Sequence, residues 1–312
     1  MTRLFNICYN IYAGTDKFFF LQKISQQYSK TRIAPTPSGY LHLGNVLSFA
    51  ITAELARQSG AKMLLRIDDL DRDRVNREYL QDIFDTLNFL GFEWDEGPGD
   101  VGDFEQNYSQ TKRLETYKVF LDKLCQKNLV YACICSRRQL NEGVACKCFD
   151  KNWQLSTPNA AWRLITYNEP VFIKNYNVDL IEATLPAGMQ NFVVRKKDGF
   201  PAYQLTSVAD DLFYGIDLIV RGNDLWQSTI AQHVLAQAMG LDDFGRIAFY
   251  HHPLLTGEAG EKLSKSAGST SIKYLREHGK IPAEIFNHIA GMINPKLHAD
   301  NRQQLGEIML NV

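Results

Sequence analysis

Excess charge of either sign is the first thing this chain lacks: 34 lysines and arginines stand against 35 aspartates and glutamates, a formal net charge of −1 over 312 residues. A generally basic nucleic-acid binder is thereby excluded, and any polynucleotide contact must come from a local patch. Long apolar runs are also missing. None reaches the ~18 residues expected of a membrane span, and Phe18-Phe19-Phe20-Leu21 is too short and interrupted for a signal peptide. The expectation is a cytoplasmic, monomeric protein with no membrane contact. Little chain follows Ser266, too little for another sizeable domain with its own core. What is present, 45% hydrophobic residues among them, suits a globular protein of one large or two modest domains. Residues 1–28 stand before the first motif and are expected to be an appendage, poorly ordered or arising from an upstream start codon.

Two short segments carry the chemistry. The first, Thr31-Arg32-Ile33-Ala34-Pro35-Thr36-Pro37-Ser38-Gly39-Tyr40-Leu41-His42-Leu43-Gly44-Asn45, runs from a short strand through proline and glycine into a long helical pattern. A helix starting at such a loop points free backbone N–H groups and its positive dipole end above the strand, which favours a phosphate. Gly44 lets the backbone come close, and His42 and Asn45 add side-chain donors. Alone, the pattern is equally that of a helix start with a satisfied polar cap.

The second segment, Gly260-Glu261-Lys262-Leu263-Ser264-Lys265-Ser266-Ala267-Gly268-Ser269, is a small-residue loop with two cations three positions apart. Nucleotidyl transfer builds negative charge on departing pyrophosphate, and a positioned ammonium stabilises that charge more than it stabilises bound ATP. Lys265 is the candidate for that role; the alternative is an ordinary solvated loop. Together the segments suggest an enzyme that activates an acid with ATP and the Mg2+ it carries. His42, Asn45, Lys262 and Lys265 are its catalytic candidates, and Gly44 joins them in holding ATP.

Strand and helix patterns alternate, as a doubly wound parallel α/β sheet requires. Strands are expected at Arg32 to Ala34 and Met63 to Ile67, and helices at Val46 to Gln58, Arg77 to Leu90 and Gln110 to Lys127. Residues 29–128 then form the first half of a nucleotide-binding domain and 129–190 an inserted subdomain. The second half is 191–270, with alternation resuming at Phe192 to Arg195, then Ser228 to Gly240 and Ile247 to Tyr250. Residues 271–312 read as one or two helices, Ser271 to His278 and Pro282 to Met292, and a polar tail.

Four of the six cysteines fall in Cys133-Ile134-Cys135 and Cys146-Lys147-Cys148, while Cys8 and Cys125 stand apart. In a reducing compartment, clustered cysteines suggest metal before disulfide. Two Cys-x-Cys pairs can supply a tetrahedral thiolate set for one structural Zn2+, unliganded thiols being the alternative. Four protein ligands would leave no open position for catalysis.

With these residues in hand, the chain resembles the glutamyl and glutaminyl branch of the class I aminoacyl-tRNA synthetases, whose signatures are of the His-x-Gly-His and Lys-Met-Ser-Lys-Ser types. The likeness includes Arg66-Ile67-Asp68-Asp69-Leu70-Asp71, Tyr108-Ser109-Gln110 with Arg113, Asp198 to Leu205, and Val220-Arg221-Gly222-Asn223-Asp224-Leu225, and runs from Thr31 to about Asn294. Within the family it looks most like the short glutamyl-queuosine tRNA(Asp) synthetases, which lack a separate anticodon-binding region. That branch carries zinc on a Cys-x-Cys pair, a tyrosine and a later cysteine. This chain has no tyrosine at the expected spacing, and an extra cysteine takes up the slack.

The resemblance implies that Arg32 and Arg221 bind L-glutamate, with Tyr203 contributing a hydroxyl. A planar guanidinium suits a carboxylate, and glutaminyl enzymes lack a cation at the position of Arg221. Asp68 stands where glutamyl members usually have Glu, paired with the substrate's amino group. A structural ion pair of Arg221 with Asp224 or another acid is the competing reading. The implied reaction forms glutamyl adenylate and passes glutamate to queuosine in the anticodon of tRNA(Asp). The rivals are a shortened glutamyl or glutaminyl enzyme charging a tRNA 3′ end, and a retired paralogue acting as a binding module.

Overall fold

The computed structural model describes residues 27–141, 146–177, 179–255 and 271–311. Lys262 and Lys265 lie outside the described residues, as does nearly all of the N-terminal appendage. Strands β1 (Lys30–Ile33) and β2 (Lys62–Leu65) join two late strands, β8 (Leu218–Gly222) and β9 (Ala248–His252), in the order β2-β1-β8-β9. Every pairing is parallel. Ile33, Leu64, Leu65, Leu218, Ile219, Ala248 and Phe249 are all buried, as both-face coverage by helices demands.

Helix α1 (Leu43–Ser59) leaves β1 through the proline-rich loop and buries Val46, Leu47, Ala50, Ile51 and Leu55 around much of its circumference. A helix apolar on several sides must be covered on several sides. The third layer over it comes from the C-terminus. There the expected polar tail is instead a helix, Arg302–Asn311, which places Leu305 and Met309 in the core shared with α1. Ile308 and Leu310 pack against the same core, so the i, i+3, i+4 spacing of Leu305, Ile308 and Met309 was a readable helix signal. Burying Leu305 and Met309 contributes roughly 1.5–3 kcal/mol each.

Gly306 is the point of closest approach: a Cβ there would meet Glu54 Cβ at 2.5 Å and the Ala50 carbonyl oxygen at 2.7 Å. Gly306→Ala is therefore expected to destabilise the protein by about 1–3 kcal/mol. Urea denaturation checks this, and a wild-type midpoint in the variant would show that the two helices do not need this contact.

The inserted region builds two antiparallel sheets. One has the order β3-β4-β7, with β3 Val130–Cys133, β4 Ala161–Leu164 and β7 Val193–Arg195; the other pairs β5 (Pro170–Lys174) with β6 (Leu180–Thr184). Strand β7 corrects an expectation, since alternation at Phe192 to Arg195 was read as the return of the parallel sheet. It pairs Trp162 with Arg195 and Arg163 with Val193 instead. A period of two fixes a strand but not its neighbour. The expected helix from Gln110 also begins later, at Leu114, after a short 3-10 turn. It buries Tyr117, Leu121 and Leu124 and leaves Val119 exposed.

Among the described residues no helix is long and apolar enough to cross a membrane.

Candidate active site

Connections leave β1 and β8 toward opposite edges of the sheet, so the crevice beyond their carboxyl ends is a topological switch point, where such sheets bind ligands. A cavity of about 620 Å³ lies there. Arg32, His42, Gly44, Asn45, Asp68, Tyr203 and Arg221, scattered over much of the chain, all line it.

His42 is the N-cap of α1. Its Nδ1 accepts a hydrogen bond from Gly44 N at 3.1 Å, and Asn45 Oδ1 accepts from His42 N at 3.0 Å. The polar-cap reading holds, and the same hydrogen bonds fix the ring that lines the cavity. A Cβ on Gly44 would stand 3.0 Å from His42 Cε1 and crowd that ring. Leu254 and Leu255 line the cavity just before segment 256–270, and just after it Ser271 bridges to His42 while Ile272 N donates to Leu41 O at 2.8 Å. Both ends of the lysine segment are therefore anchored at the site.

The floor is ionic. Arg32 Nε donates to Asp211 Oδ1 at 3.1 Å, and Arg66 NH1 donates to the same oxygen at 2.7 Å. Arg66 also forks onto Asp68, at 2.8 and 3.1 Å. Burial pushes Arg32 down to about 10, against the pull of Asp211. Burial also opposes ionisation of Asp211, but Arg66, Arg32 and Arg221 outweigh it and hold that carboxyl below its usual range. Burial raises Asp68, opposed by Arg66. The neighbouring Asp210 is taken up by Arg113, at 2.8 and 3.0 Å, and by the Tyr117 hydroxyl and Gln110.

Arg221 differs from the other two arginines. Its NH1 donates to Thr229 Oγ1 at 3.1 Å and Gln232 Oε1 at 2.9 Å, and its guanidinium lies 5.4 Å from the Phe249 ring centroid. Among the described residues no carboxylate pairs with it, so the ion pair with Asp224 is not formed. Tyr203 opens the helix Tyr203–Phe213 and is 45% exposed, its ring at the cavity. Asp211, Thr229 and Gln232 were not picked out from the sequence. The pair Asp210-Asp211 inside the apolar stretch Leu205 to Phe213 was a readable signal, since acids on a buried helix face need cationic partners.

The four cysteines converge as the Cys-x-Cys pairs suggested. Sγ separations are 3.7 Å for Cys133–Cys146, 3.8 Å for Cys135–Cys146 and 3.6 Å for Cys135–Cys148, and all four atoms lie within 4.8 Å of one another. Thiolates ~2.3 Å from a central ion sit ~3.8 Å apart on a tetrahedron. The donor set therefore fits zinc in number, type and spacing, and the separations are far from a disulfide bond.

Comparison with known proteins matches residues 29–156 and 173–301 to the family described as tRNA synthetases class I (E and Q), catalytic domain. The chain belongs to this family. The glutamate–tRNA ligase of Anaeromyxobacter sp. (strain Fw109-5) is 33% identical over 275 residues, covering 83% of this chain but 57% of the ligase. The chain thus spans little more than half of that relative. A glutamyl-Q tRNA(Asp) synthetase from Nitratidesulfovibrio vulgaris is 35% identical over 289 residues, covering 84% of this chain and 86% of its own. The crystal structure of a glutamate tRNA ligase from Elizabethkingia meningosepticum, in complex with its amino acid, superposes with a TM-score of 0.68 over 90% of this chain and 64% of that one. At 20% identity that likeness speaks for the class I synthetase fold alone.

Proposed function

We propose that this synthetase condenses L-glutamate with ATP into glutamyl adenylate and passes the glutamyl group to queuosine in the anticodon of tRNA(Asp). The observation that carries the amino-acid choice is charge: on the cavity floor Arg32 and Arg66 are ion-paired with Asp68 and Asp211, whereas Arg221 has no carboxylate within hydrogen-bonding distance among the described residues. A buried cation without a counterion is costly, and a ligand carboxylate supplies the missing charge. Arg32 and Arg221 bind the side-chain carboxylate, with the Tyr203 hydroxyl beside them. Asp68 receives the ammonium, since each of its oxygens keeps a lone pair beyond the Arg66 fork.

An α-carboxylate oxygen attacks the α-phosphorus, the bond from that phosphorus to the bridging oxygen breaks, and pyrophosphate leaves. His42, Gly44, Asn45 and the start of α1 hold the phosphates, and Lys262 and Lys265 stabilise the charge on the departing group. Magnesium carried by ATP neutralises part of the phosphate charge. Cys133, Cys135, Cys146 and Cys148 hold a zinc ion with a structural role. The acyl group then moves from the adenylate to a hydroxyl of the acceptor, releasing AMP.

Support for the queuosine acceptor is the 35% identity over 289 residues with the Nitratidesulfovibrio protein. A second reading, charging of an ordinary 3′ end, is favoured by the identity to glutamate–tRNA ligases. The test supplies labelled glutamate and ATP with tRNA(Asp) from cells able and unable to make queuosine. Exchange of pyrophosphate is expected with glutamate in the absence of any tRNA, and stable label only on the queuosine-bearing tRNA. Label on queuosine-free tRNA that disappears when periodate oxidises its terminal diol would establish the second reading instead.

A further inference from the structure

Arg32 and Arg66 are each clamped by carboxylates, whereas the described partners of Arg221 are neutral oxygens and an aromatic face. Gln232 is fully buried on the helix Trp226–Met239, one turn beyond Thr229, and its Oε1 accepts from Arg221 NH1 at 2.9 Å. Its Nε2 is buried without a partner, as is the Arg221 Nε. Among the described residues the side-chain amide is held by Arg221 alone. An acid of the same shape would pair with that guanidinium more strongly.

We infer that Gln232 is a positioning residue that sets amino-acid specificity: it orients Arg221 without pairing a charge to it, so that the guanidinium is left to pair with a ligand carboxylate. Arg221 feels Asp211 only at a distance. The inference rests on the glutamate-activating reading above. A carboxylate at this position would satisfy Arg221 from within the protein. The cavity would then hold a neutral side-chain amide as well as, or better than, an anion, because specificity is a difference between two affinities.

Glutamine and glutamate are nearly isosteric, so Gln232→Glu alters charge with little change of packing. In pyrophosphate exchange it is expected to lower kcat/KM for glutamate roughly 100-fold, mainly through KM, while kcat/KM for glutamine holds or rises. Gln232→Met keeps the site neutral and should retain the preference for glutamate. Thr229→Asp places a carboxylate at the other acceptor of Arg221 NH1 and is expected to shift the preference the same way; it decides the matter if Gln232→Glu does not fold. The inference is overturned if the charged variants keep the wild-type ratio of glutamate to glutamine activity. It is also overturned if Gln232→Met loses that preference to the same extent, because loss of the hydrogen bond to Arg221, and not the added charge, would then account for the effect of Gln232→Glu. Absence of glutamate-dependent exchange in the wild-type chain sinks the functional reading itself, before any variant is compared.

Discussion

Lys265→Ala is expected to lower glutamate-dependent pyrophosphate exchange by about two to three powers of ten, with the loss in kcat and little change in KM for ATP. The cavity has arginines at its floor, and the side proposed to hold the phosphates offers a helix start, His42 and Asn45. Those groups suit bound phosphates. None supplies a full positive charge that grows in value as pyrophosphate separates. Lys262 and Lys265 sit on the one segment whose two ends, Leu255 and Ser271, are fixed at the cavity and at His42. On the proposed mechanism Lys262 and Lys265 supply that charge. Single-turnover and steady-state kinetics separate the possibilities. A rise in KM for ATP at unchanged kcat would move Lys265 to ground-state binding, and no change at all would remove it from the mechanism.

Freshly purified, reduced protein is expected to contain one zinc per chain, and stripping it should abolish hydrogen-exchange protection around Cys133 to Asn152 while sparing β1, β8 and β9. The asymmetry follows from the packing. Val130, Leu164 and Val194 anchor the antiparallel sheet in the second hydrophobic core, whereas Ile134, Phe149 and Trp153 near the thiols are exposed. Among the described residues no apolar core closes over that end, so the thiolates are expected to hold the chain there. Structural zinc contributes on the order of 10 kcal/mol in small peptides that fold around it, comparable with the ~5–15 kcal/mol stability of an entire domain. Cys135→Ser and Cys148→Ser should reproduce the loss of protection. Substoichiometric zinc together with ready alkylation of all four thiols would refute the site.

The β1 to α1 unit was legible from residues 31–45, because proline, glycine and a capping pair act locally and need no tertiary partner. The two Cys-x-Cys pairs were legible for a similar reason: each pair is close in sequence, so only one loop has to close for the four thiols to meet. Arg32, Asp68, Tyr203 and Arg221 were named from the likeness of their surrounding motifs, and all of them line one cavity. Three things depended on the tertiary structure. Strand β7 has the same alternation whether its neighbour is parallel or antiparallel, so only the folded chain assigns it to β4. The helix Arg302–Asn311 carries Leu305, Ile308 and Met309 at helical spacing, but that they cover α1 is decided only in the folded chain. Above all, an arginine's charge is the same in any sequence, but how much of it remains for a ligand depends on what surrounds it. Asp211 is spent on Arg32 and Arg66, while Arg221 meets Thr229 and Gln232, and that division of partners arises only when β1, β8 and the helices behind them pack together.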